Sequence, residues 1–168
     1  MKKTLAVAML CLCLVGCGSG NGGNTSARRM TPAEMLQLVR AAGETGNELD
    51  VQPLRDPQVE DLRASAAQSE SRGDYLAATA ILTRALAITP NDPDLLQWQA
   101  ELALASKNWT LAEQYAARSY EQGPKLGGLC RRSWMTREFA RQALGDSSNA
   151  MVAQQQIGKC AVTPPVRM

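Results

Sequence analysis

Hydrophobic and polar positions divide the 168-residue chain into three stretches of different character. Leu5 to Val15 is an uncharged apolar run. Gly18 to Ala27 then reads Gly-Ser-Gly-Asn-Gly-Gly-Asn-Thr-Ser-Ala, a composition that gives a flexible tether. From Thr31 onward apolar residues recur at helical spacing. Thr31-Pro32-Ala33-Glu34 predicts a helix start, with Thr31 as cap, Pro32 at the first helical position and Glu34 completing a capping box. Met35, Leu36, Leu38, Val39 and Ala42 supply its apolar face, and Gly43 is the expected stop. Residues 43–56 are polar, contain Gly46 and Pro53, and read as a loop. Further helices are predicted at about 57–71, 75–88, 93–106, 109–122, 129–143 and 147–158. Asp56-Pro57 and Asp92-Pro93 are cap-plus-proline starts, and Gly73-Asp74 and Gly145-Asp146 are turns. Almost no segment alternates in the manner of a strand, so the expected fold is all-α, built from helical hairpins.

The apolar run follows Lys2-Lys3 and is shorter than the roughly 20 residues that span a bilayer as a helix. A positive start, a short apolar core and small residues before a polar stretch make a secretory leader. Its end, Leu14-Val15-Gly16-Cys17, resembles the lipobox of bacterial lipoproteins. The resemblance implies that residues 1–16 are removed and that Cys17, acylated (palmitate among the chains), begins the mature protein. Residues 17–30 would then tether the remainder to a membrane. Gly18 rather than Asp after the cysteine implies the outer membrane, with the protein facing the periplasm. Each buried methylene adds about 0.8 kcal/mol, so two or three acyl chains hold a protein essentially permanently. Plain secretion with a free Cys17 and an uncleaved anchor are the alternatives.

Recognition of the leader changes the charge and the cysteine count. Loss of Lys2 and Lys3 takes 18 basic residues to 16, equal to the 16 acidic ones. A neutral chain without a basic cluster is a poor binder of phosphate backbones, so no nucleic-acid partner is expected. Arg28-Arg29 and Arg131-Arg132 read as solvated surface. Cys11 and Cys13 leave with the leader and Cys17 goes to lipid, which leaves Cys130 and Cys160. In an oxidising compartment they are a disulfide candidate; two buried free thiols are the alternative.

A repeat with a period of about 34 residues runs through the helical part. Gly73-Asp74-Tyr75, Ala78, Leu82, Ala85 and Pro90-Asn91 are followed by Asn108-Trp109, Ala112, Ala116, Ser119 and Pro124. A third copy, through Gly145-Asp146, Ala150, Gln154 and Ile157, needs about four extra residues around Gly127-Gly128-Leu129-Cys130. Over residues 57–160 this pattern resembles the tetratricopeptide repeat. Ser65-Ala66, Gln99-Ala100 and Arg137-Glu138 stand where the family usually has Leu-Gly. The resemblance implies a short right-handed solenoid of about three hairpins over 57–162, preceded by an extra helix and loop at 31–56 and followed by a tail at 163–168. One hairpin cannot bury its apolar face alone, and stacking makes a continuous core. Cys130 would start the last hairpin and Cys160 would end it. A bridge there closes a loop of about 30 residues and adds on the order of 3 kcal/mol.

In tetratricopeptide proteins the first helices line a concave groove for a peptide or helix. The matching positions are Glu60, Arg63, Ala67 and Glu70, then Asp94, Gln97, Glu101 and Leu104, then Arg132, Met135 and Phe139. The Lys/Asn-rich clamp of chaperone-tail binders is missing. Trp98, Trp109 and Trp134 are core aromatics or, if exposed, binding anchors. The chain has no histidine, which removes the commonest general base and metal ligand. No cofactor or metal is expected, and Glu60-Asp61 reads as a solvated pair. The expected function is a membrane-anchored periplasmic interaction scaffold for a cell-envelope machine of the pilus, secretion or outer-membrane biogenesis type. The alternatives are a docking regulator of a peptidoglycan enzyme and an enzyme using Cys130 beside Arg131-Arg132.

Overall fold

A computed structural model describes residues 30–46 and 54–161. The leader, Cys17, residues 17–29 of the tether, residues 47–53 of the predicted loop and the whole tail at 163–168 lie outside the described residues. Within them the secondary structure is entirely helical: α1 (Pro32–Glu44), α2 (Pro57–Ser71), α3 (Tyr75–Ile88), α4 (Pro93–Ala105), α5 (Trp109–Gln122), α6 (Gly127–Ala143) and α7 (Ser147–Lys159). No described helix is long and apolar enough to cross a membrane.

Capping fixes most of the starts. The Thr31 side chain accepts from the Glu34 N–H, and the Glu34 carboxylate accepts from the Thr31 N–H at 2.7 Å. Asp56, Asp74, Asp92, Asn108 and Asp146 cap the next helices with their side-chain oxygens. Each such cap satisfies backbone donors that a helix start leaves open. Only α6 begins without a side-chain cap among the described helices, at Leu126. It also begins two residues before the sequence predicts. Gly127 has a φ of 83° and donates its N–H to the Cys160 carbonyl at 2.7 Å, so the end of α7 organises the start of α6. At α1, Gly43 does not stop the helix; it lies within it, and Thr45 is the C-cap.

Successive helices pack as antiparallel neighbours from α2 to α7, and α4 and α6 also touch. Ala78 and Ala112 are fully buried where a larger side chain would force helices apart. One core joins α2, α3 and α4 through Val59, Leu62, Leu82, Leu95 and Leu102. A second gathers Val39 of α1 with Leu104, Ala112, Phe139 and Ala140. A third holds Cys130, Trp134, Ala153 and Cys160 between α6 and α7. The two cysteines are bridged, with Cα atoms 5.6 Å apart. The Glu113 carboxylate pins α5 to α6 by accepting from Arg137 and Arg141 at 3.0 and 2.7 Å.

Candidate interaction groove

The first helices of the hairpins are α2, α4 and α6, and α1 lies against α4 and α6. Its buried stripe is Leu36, Val39 and Ala42, and Val39 has no exposed surface. Arg40 stands on the same side. Its guanidinium donates to Glu70 of α2 at 2.7 Å and to Glu101 of α4 at 3.0 Å. Burial lowers the Arg40 pKa, but the two carboxylates outweigh it and hold the group above its ordinary value. Arg131 of α6 donates its Nε–H to the Ala42 carbonyl at 2.8 Å, joining the Thr45 hydroxyl on an acceptor near the end of α1.

Glu101 is the hub of the contact. Its side chain has no exposed surface and accepts from Arg40, from Arg132 at 2.6 Å and from Gln97 at 3.0 Å. Gln97 also donates to Thr136 at 2.9 Å. A buried carboxylate is tolerable only with such partners, and here α1, α4 and α6 each supply one. The end of α1 meets the start of α6 with almost no space between backbones. A Cβ on Gly128 would stand 2.3 Å from the Gly43 carbonyl oxygen.

This arrangement departs from an open groove running over all three hairpins. Gln97, Glu101, Leu104 and Phe139 are buried, Arg132 is held to Glu101, and Met135 packs against the second core. The physical reason is α1, which covers the α4–α6 part with its own apolar stripe. The first hairpin's positions remain at the surface. Glu60 is half exposed beside Arg55 and Arg63, and Arg63 lies 5.5 Å from the centre of the Trp98 ring. Asp94, at the far edge, pairs with Arg55 at 2.7 Å. A cleft of about 1100 Å³ persists between α1 and α2. Leu36 and Arg40 of α1, Ala67 and Glu70 of α2, Trp98 of α4 and Leu129 of α6 line it. The Trp98 indole N–H donates to Glu70 at 2.7 Å, so the tryptophan both packs on the first core and fixes the carboxylate. Trp109 and Trp134 pack in the second and third cores.

Sequence reasoning missed Arg40 and Arg55. The signal for Arg40 is present: a lone cation inside the stripe of Leu36, Val39 and Ala42 needs an acid to receive it. Among the described residues no group of three or more His, Cys, Asp or Glu could hold a metal ion. Cys130, the nucleophile of the enzymatic alternative, is half of the bridge and offers no thiolate.

Paired helices stacked with a layer of first helices along one side define a tetratricopeptide-like interaction domain. No family profile matches the sequence, and no curated protein matches it. Among solved structures the chain is similar to the globular C-terminal domain of P. aeruginosa LpoP, at 32% identity and a TM-score of 0.57. The match covers 62% of this chain and 99% of that one. The chain belongs to the same family as that LpoP domain.

Proposed function

We propose that this chain is a lipid-anchored, periplasm-facing docking protein of the outer membrane that regulates a peptidoglycan synthase by binding it. The single observation that carries the reading is the 32% identity to the LpoP domain across 99% of that domain. It favours the peptidoglycan-enzyme alternative over a pilus, secretion or outer-membrane assembly scaffold. The fold supports a binding role, because its described residues form ion pairs around a cleft that Trp98 lines. Trp98, Arg63 and Glu70 form the part of the groove that a partner segment can reach. Cys17 would supply the anchor and residues 17–30 the reach from the membrane surface.

Crosslinking in intact cells, followed by capture of the chain and identification of what it holds, tests this directly. A peptidoglycan synthase is the expected catch, and purified chain should then change the glycan-polymerising rate of that enzyme. Recovery of pilus, secretion or outer-membrane assembly subunits in its place would sink the reading. Replacing Cys17→Ser should move the protein from the membrane fraction to the soluble periplasm, and retention in membranes would refute the anchor.

A further inference from the structure

The sequence breaks local rules at three positions that line one cleft, the space of about 1100 Å³ beside Trp98. Leu126 holds the N-cap of α6, where every other described helix has Thr, Asp or Asn and a side-chain hydrogen bond. Its backbone is extended, as a cap requires, yet its side chain caps nothing and stands half exposed in the cleft. Glu44 ends α1 and Glu70 lies in the last turn of α2, where a negative side chain opposes the helix dipole. At the end of α5, by contrast, the Lys125 ammonium donates to the Tyr120 and Glu121 carbonyls. Departures of this kind cost stability, and proteins keep them at functional positions. The charges of the cleft are also unequal. Two arginines and three glutamates line it, an excess of one negative charge. Arg132 is committed to the buried Glu101, and Arg40 is shared between Glu101 and Glu70. Glu44 is exposed and has no hydrogen bond or ion pair among the described residues.

We propose that this cleft seats a short partner segment that joins an arginine or lysine to a large aliphatic residue, the cation answering Glu44 and Glu70 and the aliphatic side chain covering Leu126. The inference rests on the docking reading above and deepens it by naming the chemistry of the segment. Charge complementarity selects the occupant. A cation supplies the partner that Glu44 lacks. Glu70 accepts from Arg40 on one oxygen and from the Trp98 indole on the other, and each oxygen keeps a lone pair for a further donor. A partner acid would meet the excess negative charge instead. The aliphatic part is selected by Leu126, with Pro124 and Leu129 also lining the cleft. Covering that leucine removes apolar surface from water that the free chain leaves exposed. The cleft is open as it stands, so no helix has to move. The three departures then have one reason, since a capping residue at 126 or a basic helix end at 44 or 70 would remove the groups the partner reads.

The test uses the full chain and three end-blocked peptides carrying a neutral coumarin. The first is Gly-Ser-Leu-Arg-Leu-Ser-Gly, the second has Glu in place of the arginine, and the third has Ser in place of both leucines. In fluorescence polarisation the first should bind at least about tenfold more tightly than either of the others. Added salt should erode its lead over the Glu peptide. Glu44→Gln should cut that lead to about threefold or less, and Leu126→Ser should weaken the first peptide by about fivefold or more. Both changes fall on exposed side chains, and the serine restores a capping hydroxyl, so neither melting temperature should fall. A fall in both overturns the proposal, because the two positions would then serve packing. No binding of the first peptide at about 1 mM overturns it as well. So does tighter binding of the Glu peptide, which would make Arg40 and Arg132 the readers of a partner acid. Binding unmoved by either variant places the seat elsewhere and has the same result. The titration needs no synthase, so its failure and the failure of the synthase reading are separable.

Discussion

Replacing Gly128→Ala attacks the seat of α1 at its tightest point. The new Cβ would stand 2.3 Å from the Gly43 carbonyl oxygen, 3.2 Å from the Gly43 carbonyl carbon and 3.4 Å from its Cα. All three are backbone atoms, so no side-chain rotation relieves the clash. Ordinary contact requires the end of α1 to retreat by about 1 Å. That retreat pulls Ala42 away from the Arg131 Nε–H and drags Arg40 from its two acids. Overpacking of this kind costs about 1–3 kcal/mol. The cost has a ceiling, because α1 can leave altogether once its docking energy is exceeded. For a domain of this size each kcal/mol lowers the melting temperature by roughly 3–5 °C. Native-state hydrogen exchange separates the effect from general destabilisation. Amides of α1 should lose protection while those of α3 and α5 keep theirs. Gly43→Ala is the internal comparison: its Cβ meets Arg132 Cδ at 2.6 Å, on a flexible side chain that can move, so the loss should be smaller. Wild-type protection of α1 in Gly128→Ala would refute the claim that this close approach seats the helix.

Three further outcomes follow from the same contacts. Glu101→Ala leaves Arg40, Arg132 and Gln97 without their shared acceptor, and a loss of about 3 kcal/mol is expected from denaturant unfolding; a loss under about 1 kcal/mol would mean the hub is not structural. Replacing Cys130 and Cys160 together by serine opens the bridged hairpin and should lower stability by about 2–4 kcal/mol, and an unchanged urea midpoint would contradict this. Burial raises the Glu138 carboxyl above its ordinary value, and the hydrogen bond from Gln142 offsets this only in part. An acid raised on folding costs stability when ionised, so the penalty is full at neutral pH, shrinks as pH falls through the raised value, and is gone below about pH 4. Glu138→Gln should therefore raise the melting temperature at neutral pH with the gain disappearing on acidification, and a gain independent of pH would assign the effect elsewhere.

The helices were legible because this chain punctuates them. Asp56-Pro57, Asp92-Pro93, Gly73-Asp74 and Gly145-Asp146 each combine a turn or cap with a clear apolar period, and α2, α3 and α5 match the sequence expectation residue for residue. The start of α6 was not legible. Gly127-Gly128 reads as a break, yet here the glycines let the Cys160 carbonyl and the Gly43 backbone approach. The candidate groove was half legible for a related reason. Periodicity identifies which face of α1 is apolar but not which surface receives it. Gln97, Glu101 and Thr136 are polar, so they look solvated in the sequence, yet they form a buried network where α4 meets α6, which Arg40 of α1 joins at Glu101.

The two ends of the array respond differently to mechanical load. A pull entering through the N-terminal segment meets α1 first, a helix held by one apolar stripe and a few ion pairs, and peels it before any hairpin is stressed. A pull entering beyond Cys160 crosses the sulfur–sulfur bond directly into α6 at Cys130. Helix α7 lies on the bypassed arc and carries no tension. The chain is thus compliant on one side and covalently shunted on the other, so stretching exposes the surface beneath α1 while the last hairpin stays shut.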